Sequence, residues 1–533
     1  MSVFSHVPLA SQYARDGRLS DAERLLQNKE GGEESGSTLI ANNLSVIYAM
    51  CGDVQGASLE LNQVWEDHVR ESPDFVAGFP AVLEKNIAFL REQAVRCRYK
   101  GTESPSRTRT KIAIVSLLFN WPSTGGGAVH TKELAEFLTR EGYDVRHFYA
   151  VYEGWRVGEV REVLPYRSVP LRFPEEVWNA EQIRETFRNA VGDFAPDAVI
   201  VTDSWNTKPL LAEAVADYPY YLRIAALESI CPLNNVRLLV NHDGVPCQCP
   251  NNQLVNPKEC LQCVKAFRHQ SGSLHQAERE LAGFFQPEYP DRLRQAFMGA
   301  TGVLVVNPAI AQLVQPHNQS TYIVPSGFNS ARFPSDLTVS PPERSLKTIL
   351  FAGLSSEYIK GFSVLVAAVK ILRERRQDFE LLVTDQPPRG WQSAQSPWIQ
   401  FVGWQSQQDL PQLISKSDIL VFPTVAQEAL GRTAVEAMGC GRPVVASRIG
   451  GLAWVIEDQV NGLLCHPGDS LDLAQKLETL LDDGNLRVQL GQNGREKFLR
   501  DFTWDSILKR HYFQLFGPAV RSAADMDHSS KVC

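Results

Sequence analysis

The sequence predicts an α/β protein of two sheet-and-helix units, preceded by an α-helical segment. Three observations carry this. Short apolar, β-branched runs alternate with amphipathic helical stretches over residues 111–333 and again over 347–516, the pattern of parallel strands covered on both faces by helices. Polar stretches containing proline, at 101–110 and 334–346, set these units apart. Glycine clusters follow particular strands, at 125–127 and within 423–451, and ligands on such sheets bind beyond the C-terminal strand ends.

A chain of 533 residues has room for about three or four domains of roughly 100–200 residues. Its 44% hydrophobic and 21% charged content is that of an ordinary soluble protein, and no apolar run approaches the ~18 residues of a membrane span. Residues 1–18 lack a basic start followed by an apolar block, so no signal peptide is read. A cytoplasmic location is expected, with peripheral contact to a membrane left open. The net charge of −8 argues against broad nucleic-acid binding, which needs a surplus of Lys and Arg.

Residues 1–100 read as helical. Tyr13, Gly17 and Ala22 recur as Tyr48, Gly52 and Ala57, each pair 35 positions apart (48 − 13, 52 − 17, 57 − 22). Tyr, Gly and small Ala at this period resemble tetratricopeptide repeats, in which Gly permits the turn and Ala lets paired helices approach. On that reading the segment binds a protein partner or peptide. A plain helical bundle is the alternative.

In the first α/β unit, strands are expected at 111–116, 145–149, 198–202, 220–225 and 302–306, and helices at 128–140, 180–191 and 208–216. Gly125, Gly126 and Gly127 sit between the first strand and its helix, where glycines let the backbone approach a diphosphate and the helix adds its N-terminal dipole. A bare strand-to-helix turn would use the same residues. Five of the ten cysteines fall between 231 and 263. Cys247-x-Cys249 and Cys260-x2-Cys263 form two close pairs that suit tetrahedral Zn²⁺ in a closed structural site, with Cys231 able to replace one ligand. Reduced free thiols and a redox role are the alternatives. No catalytic cofactor is expected.

The second unit shows strands at 348–352, 380–384, 399–402 and 419–422, with helices at 362–374 and 410–415. After the last of these strands come Glu428 and Glu436, eight positions apart. On one helix they would stand about 80° and about 12 Å apart, able to hold two ends of one ligand but not one atom. Thr433 to Glu436 reads as a capping box that would start a helix near Gly431. The plain alternative makes Glu436 a cap and Glu428 a solvated loop residue. Helices follow at 471–481, 486–498 and after Trp504 to about 516, and the tail at 519–533 is expected to be disordered.

Five stretches in this order carry a family resemblance: Gly125-Gly-Gly-Ala-Val-His130; Val324-Pro-Ser-Gly327-Phe-Asn-Ser-Ala-Arg-Phe333; Phe351-Ala-Gly353 with Lys360-Gly361; 423–445; and Asn461-Gly-Leu-Leu with Pro467-Gly-Asp469. Over residues 111–516 the chain resembles the retaining glycosyltransferases of family four, which use nucleotide-sugar donors on a GT-B fold of two Rossmann-like domains. Here an α-helical repeat-like domain precedes that fold. The resemblance implies that Glu428 contacts the transferred sugar and that the amides of Ala429, Leu430 and Gly431 approach sugar and phosphate. Glu436 would accept from the ribose, Lys360 would neutralise the departing diphosphate, and Gly126 and Gly127 would close over it. It also implies same-face attack, with a phosphate oxygen of the leaving group taking the acceptor's proton.

Three positions depart from that pattern. An Arg usual before the Lys-Gly pair is absent at Leu354, Ser355 and Ser356, which leaves Arg432 or Arg448 as substitutes. The usual first-domain His is absent, with Glu228 nearby in its place, and Trp454 stands where an acid is usual. The implied activity is transfer of a hexose to a saccharide, lipid-linked or protein acceptor. The alternatives are a non-catalytic scaffold that binds a nucleotide sugar or a partner protein, and another GT-B enzyme such as an epimerase or a phosphorylase.

Overall fold

The chain divides into two compact units, 1–107 and 108–533, and a computed structural model describes residues 109–123, 125–240, 246–334, 345–392 and 396–517 of the second. The repeat-like segment expected at 1–100, most of both linkers and the tail at 519–533 lie outside the described residues.

The first half is a seven-stranded sheet built from β1 (Lys111–Ser116), β2 (Asp144–Val151), β3 (Arg167–Arg172), β4 (Ala198–Thr202), β5 (Tyr220–Ile224), β8 (Gly302–Val305) and β9 (Thr321–Ile323). Its order is β3-β2-β1-β4-β5-β8-β9, and every pairing is parallel. Ile112 to Val115 are wholly buried, as expected of a strand covered on both faces. The edge strand β3 escaped the sequence reading because Pro170 interrupts it and half its positions are exposed or charged, a composition that only an edge tolerates.

Helices α1 (Gly126–Arg140), α2 (Ala180–Phe194) and α3 (Lys208–Ala214) connect the early strands. Between β5 and β8 lies an insertion. It contains a short antiparallel hairpin, β6 (Leu238–Val240) with β7 (Pro246–Gln248), and helices α4 (Pro257–Phe267), α5 (Ser273–Leu281) and α6 (Tyr289–Gly299). Helix α7 (Pro308–Val314) joins β8 to β9.

The second half is a six-stranded parallel sheet of β10 (Lys347–Phe351), β11 (Phe379–Val383), β12 (Ile399–Phe401), β13 (Ile419–Phe422), β14 (Val444–Ser447) and β15 (Leu463–Cys465), in the order β12-β11-β10-β13-β14-β15. Helices α8 (Phe362–Arg373), α9 (Leu410–Lys416), α10 (Arg432–Gly439), α11 (Leu452–Val455), α12 (Ser470–Asp482) and α13 (Gly484–Asp501) cover it. Residues 440–443 after α10 lead directly into β14, whose four residues are all buried.

In both sheets the strand order reverses beside the first strand, between β1 and β4 and between β10 and β13. Loops from neighbouring strands diverge there and leave a crevice at the C-terminal strand ends. The chain then returns to the first half. After α14 (Trp504–Ile507) and a π-helical turn at Leu508–Tyr512, Trp504, Ile507, Leu508 and Tyr512 share an apolar cluster with Ile112, Ile114, Leu134 and Tyr149. Backbone bonds from Phe328 N to Phe502 O (2.8 Å) and from Trp504 N to Phe328 O (3.1 Å) fix this crossing beside the linker.

Candidate functional site

Four segments converge from the two switch points. From the first half come the loop after β1, ending in Gly125, Gly126 and Gly127 at the start of α1, and Asp203 directly after β4. From the second come Lys360, between β10 and α8, and the Glu428 loop after β13.

The glycines of the first loop are needed for room. A Cβ on Gly126 would stand 3.1 Å from Cδ of Arg432, and a Cβ on Gly127 would stand 3.1 Å from Oδ1 of Asp203. The loop is thus pressed between an arginine of the second half and an aspartate of the first. Asp203 has left-handed backbone (φ 42), and Ser116 Oγ donates to its Oδ2 at 3.3 Å. Burial lifts its carboxyl from 3.8 to about 6, although Thr131, Lys208 and Ser116 pull the other way.

In the second half, Lys360 Nζ donates to Glu428 Oε1 at 2.8 Å, with the two side chains 27% and 16% exposed. The fold holds this pair through backbone. Gly361, next to Lys360, has φ 73, and a Cβ there would fall 1.8 Å from the carbonyl oxygen of Pro423. Gly451 N donates to Glu428 O at 2.7 Å, and a Cβ on Gly451 would lie 1.9 Å from Ala429 O. Asn307, at the start of α7 in the first half, donates from Nδ2 to that same Ala429 oxygen at 2.6 Å. Leu430 turns its side chain into the apolar core, so only its backbone is available to a ligand.

The capping box expected at Thr433 to Glu436 does not form. Gly431, in left-handed conformation (φ 75), precedes α10, and no side chain caps the helix. A Cβ on Gly431 would meet Leu452 Cδ2 at 2.4 Å, so glycine supplies a sharp, tightly packed helix entry and leaves Glu436 free of capping. Glu428 lies before the helix and Glu436 within it, so the spacing expected on a single helix does not apply.

Glu436 is 5% exposed and ion-paired with Arg332 Nη2 at 3.3 Å. Burial raises its carboxyl, countered by Arg432 and Arg332 and reinforced by Glu133. Arg332 also donates from Nε to Gln407 O at 3.1 Å and reaches Glu133 of α1 at 3.5 Å. Glu133 accepts from Trp504 Nε1 at 3.1 Å and lies 3.6 Å from Arg432 Nη2. Glu436 therefore belongs to a chain of charges that ties α10 to α1.

Glu228 is buried, and its two oxygens each accept a backbone N–H, from Ala225 and Ala226 at 2.5 Å. It closes its own turn, and its charge acts on Asp203 and Lys208. Arg448 is half exposed and paired with Asp458. Trp454 packs edge-on against Phe502 at 5.9 Å. Sequence reasoning missed Asp203, Asn307, Arg332 and Glu133. Asp203 had a readable signal, an acid directly after a wholly apolar strand in a parallel sheet. Asn307-Pro308 has the form of a helix start but no sign of a contact to Ala429, and neither Arg332, inside a resemblance stretch, nor Glu133 carried a local sign of its ion pairs.

The cysteines expected to bind zinc are divided between β7 (Cys247, with Cys249 just beyond) and α4 (Cys260 and Cys263). All are free thiols, as is Cys231. Burial, reinforced by neighbouring thiols, pushes Cys260 up to about 12 and Cys263 up to about 11. Among the described residues no three Cys, His, Asp or Glu side chains are grouped so as to hold a metal ion. Among them, too, no helix is long and apolar enough to cross a membrane.

Residues 346–483, which include Lys360, Glu428 and Glu436, match the family described as glycosyl transferases group 1. The chain is 24% identical over 418 residues to an uncharacterized glycosyltransferase of Methanocaldococcus jannaschii, covering 75% of this chain and 96% of that protein. Two further relatives are matched over 31% and 41% of their own length. Among solved structures, sucrose-phosphate synthase from Thermosynechococcus elongatus aligns with a TM-score of 0.53 at 19% identity, over 76% of this chain and 99% of that one. HepE of Anabaena, solved with UDP and glucose, aligns with a TM-score of 0.51 at 16% identity over the same 76% and 99%. The described chain thus has a GT-B-like α/β fold whose second half matches a group 1 glycosyltransferase domain.

Proposed function

We propose that the protein is a retaining glycosyltransferase that moves a hexose from a nucleotide diphosphate sugar to a saccharide, lipid-linked or protein acceptor. The observation that carries this reading is the Lys360–Glu428 pair at 2.8 Å, set at one switch point, with Gly126 of the other switch point against Arg432, four positions beyond Glu428. A cation and a carboxylate held together there suit the two ends of a sugar diphosphate. Lys360 would lie against the phosphate and Glu428 against the sugar hydroxyls. That HepE binds UDP and glucose on a similar fold supports the choice of donor class.

In the proposed step the bond between the sugar's anomeric carbon and a β-phosphate oxygen breaks, and its electron pair leaves on the diphosphate. The acceptor hydroxyl forms the new glycosidic bond on the same face, and its proton ends on the released diphosphate. Lys360 stabilises the charge that develops on the leaving oxygen, where a preorganised cation has its largest effect. Glu436 would hold the ribose by sharing its carboxylate with Arg332. We place the activity in the cytoplasm.

The test is incubation with a panel of UDP-, GDP- and ADP-sugars, following nucleoside diphosphate release by wild type and by Glu428→Ala. Release by the wild type alone supports the reading. Equal release by both removes the role of Glu428, and binding of a nucleotide sugar without turnover turns the protein into a scaffold. The anomeric configuration of the product, read by NMR, decides retention.

A structural zinc on Cys247, Cys249, Cys260 and Cys263 is a separate proposal. It rests on their spacing and on the thiols' mutual electrostatic influence, and the thiols would have to draw closer around the ion. About one zinc per chain would support it, and a metal-free, folded protein would overturn it.

A further inference from the structure

Most cations around the crevice are already committed. Lys360 is paired with Glu428, Arg448 with Asp458, and Arg332 with Gln407 O and Glu436. Lys360 is also the sole cation between Phe351 and Gly361. A leaving diphosphate would therefore meet a lysine whose charge is already balanced by a carboxylate.

Arg432 is different. It is the first residue of α10, its side chain is 16% exposed, and its guanidinium lies 4.3 Å over the ring of Phe328. Among the described residues neither Nη1 nor Nη2 has a hydrogen-bond partner. Glu133 stands at 3.6 Å from Nη2, an ion-pair distance too long for a hydrogen bond. Unmade hydrogen bonds from a buried charged group are costly, and an anion that reached these buried nitrogens would relieve that cost.

The stem of Arg432 also runs against the glycine loop. Its Cδ is the atom nearest to a Cβ on Gly126, at 3.1 Å, so glycine at 126 is what lets the arginine lie there. The same loop begins α1, whose N-terminal amides favour an anion. Two independent features thus point at one place: unspent guanidinium donors and a loop stripped of side chains.

We propose that Arg432 is a phosphate-binding residue of this site, donating its Nη groups to the diphosphate of the nucleotide. The assignment rests on the reading of the site as a nucleotide-sugar site. The planar fork of arginine suits two phosphate oxygens at once. Stacking on Phe328 holds the fork in place before the ligand arrives.

The experiment is calorimetric titration of the full chain with UDP and UMP, and likewise with ADP and AMP and with GDP and GMP. Wild type, Arg432→Met, Arg432→Lys and Glu133→Gln are compared at one salt concentration. Arg432→Met is expected to weaken diphosphate binding by about tenfold to a hundredfold, the range of charge-assisted hydrogen bonds, and to change monophosphate binding less than about threefold. Arg432→Lys keeps the charge and the stem and should recover part of the diphosphate preference. Glu133→Gln removes the ion-pair partner and should weaken diphosphate binding less than Arg432→Met does.

A merely structural Arg432 would lower both affinities together, or neither, and either result overturns the assignment. So would loss of the preference in Glu133→Gln with retention in Arg432→Met. Failure of the wild type to bind any nucleoside diphosphate would overturn the nucleotide-sugar reading itself, and the assignment with it.

Discussion

Replacing Asp203 by Asn should make the protein more stable in neutral solution and leave it nearly unchanged in acid. In the folded chain the Asp203 carboxyl lies under Gly127, where burial lifts it from 3.8 to about 6. Between about pH 4 and about pH 6 the folded state holds a proton that the unfolded chain has released. A folded state that binds more protons loses stability as pH rises. At 1.36 kcal/mol per tenfold change, the gap from 3.8 to about 6 amounts to a cost of about 3 kcal/mol once the group is ionised in both states. Asn keeps an oxygen for Ser116 Oγ and cannot ionise, so this cost disappears.

The assay is urea unfolding of wild type and Asp203→Asn from pH 4 to pH 8. The variant's advantage should grow across pH 4 to 6 toward about 3 kcal/mol and then level off. An advantage that stays flat with pH, or that shrinks as pH rises, would refute the claim that this carboxyl is lifted by burial.

Other substitutions probe the remaining links. Gly361→Ala, with φ 73 and a Cβ placed 1.8 Å from Pro423 O, should cost at least about 2 kcal/mol and displace Lys360 from Glu428. Gly468→Ala has a similar φ of 81 but open space around it, so it should cost about 1 kcal/mol and spare nucleotide binding. Thermal melts and UDP titration read both. Trp504, stacked between His130 and Phe137 and 1% exposed, should lose about 3–5 kcal/mol as Trp504→Ala. Trp504→Phe should lose about 1–3 kcal/mol, because it leaves Glu133 Oε2 without its donor. In turnover assays Lys360→Met should lower kcat by about a hundredfold or more, while Arg448→Ala, which loses a half-exposed ion pair with Asp458, should change it less than about twofold.

The parts of this structure that could be read in sequence are those fixed locally. β1, β4, β10 and β13 are short apolar runs bounded by polar residues, so the strand ends that carry Gly125 to Gly127 and the Glu428 loop were legible, whereas the strand order that makes them switch points was not. β3 was hidden because an edge strand need not be apolar on both faces, and β14 because its four residues follow directly on a proline turn. The capping box at Thr433 failed for a related reason. The motif assumes that the residue before the helix has a free side-chain oxygen to offer, but the packing of Gly431 against Leu452 demands a glycine there. Glu228 was legible as a polar residue near a strand end, but its orientation depends on a turn that folds back on its own carboxylate. Nothing local could reveal Arg332 or Glu133, whose importance arises when α1 and α10 approach one another across more than 290 positions of sequence.

That approach bears on how the site would work. Asn307 of the first half holds the Ala429 carbonyl of the second at 2.6 Å, and Glu133 of α1 gathers Arg332, Arg432 and Trp504. The same helix presents Gly126 at its start and Glu133 two turns later, so a shift of α1 along its axis would move the glycine loop and the charge cluster together. The Glu428 loop is fixed to the first half through Asn307 and to the second through Gly451. Neither half therefore sets the crevice alone. A group-transfer site that must exclude water would gain from this arrangement, because the contacts that close the halves would also aim the groups proposed to face phosphate and sugar.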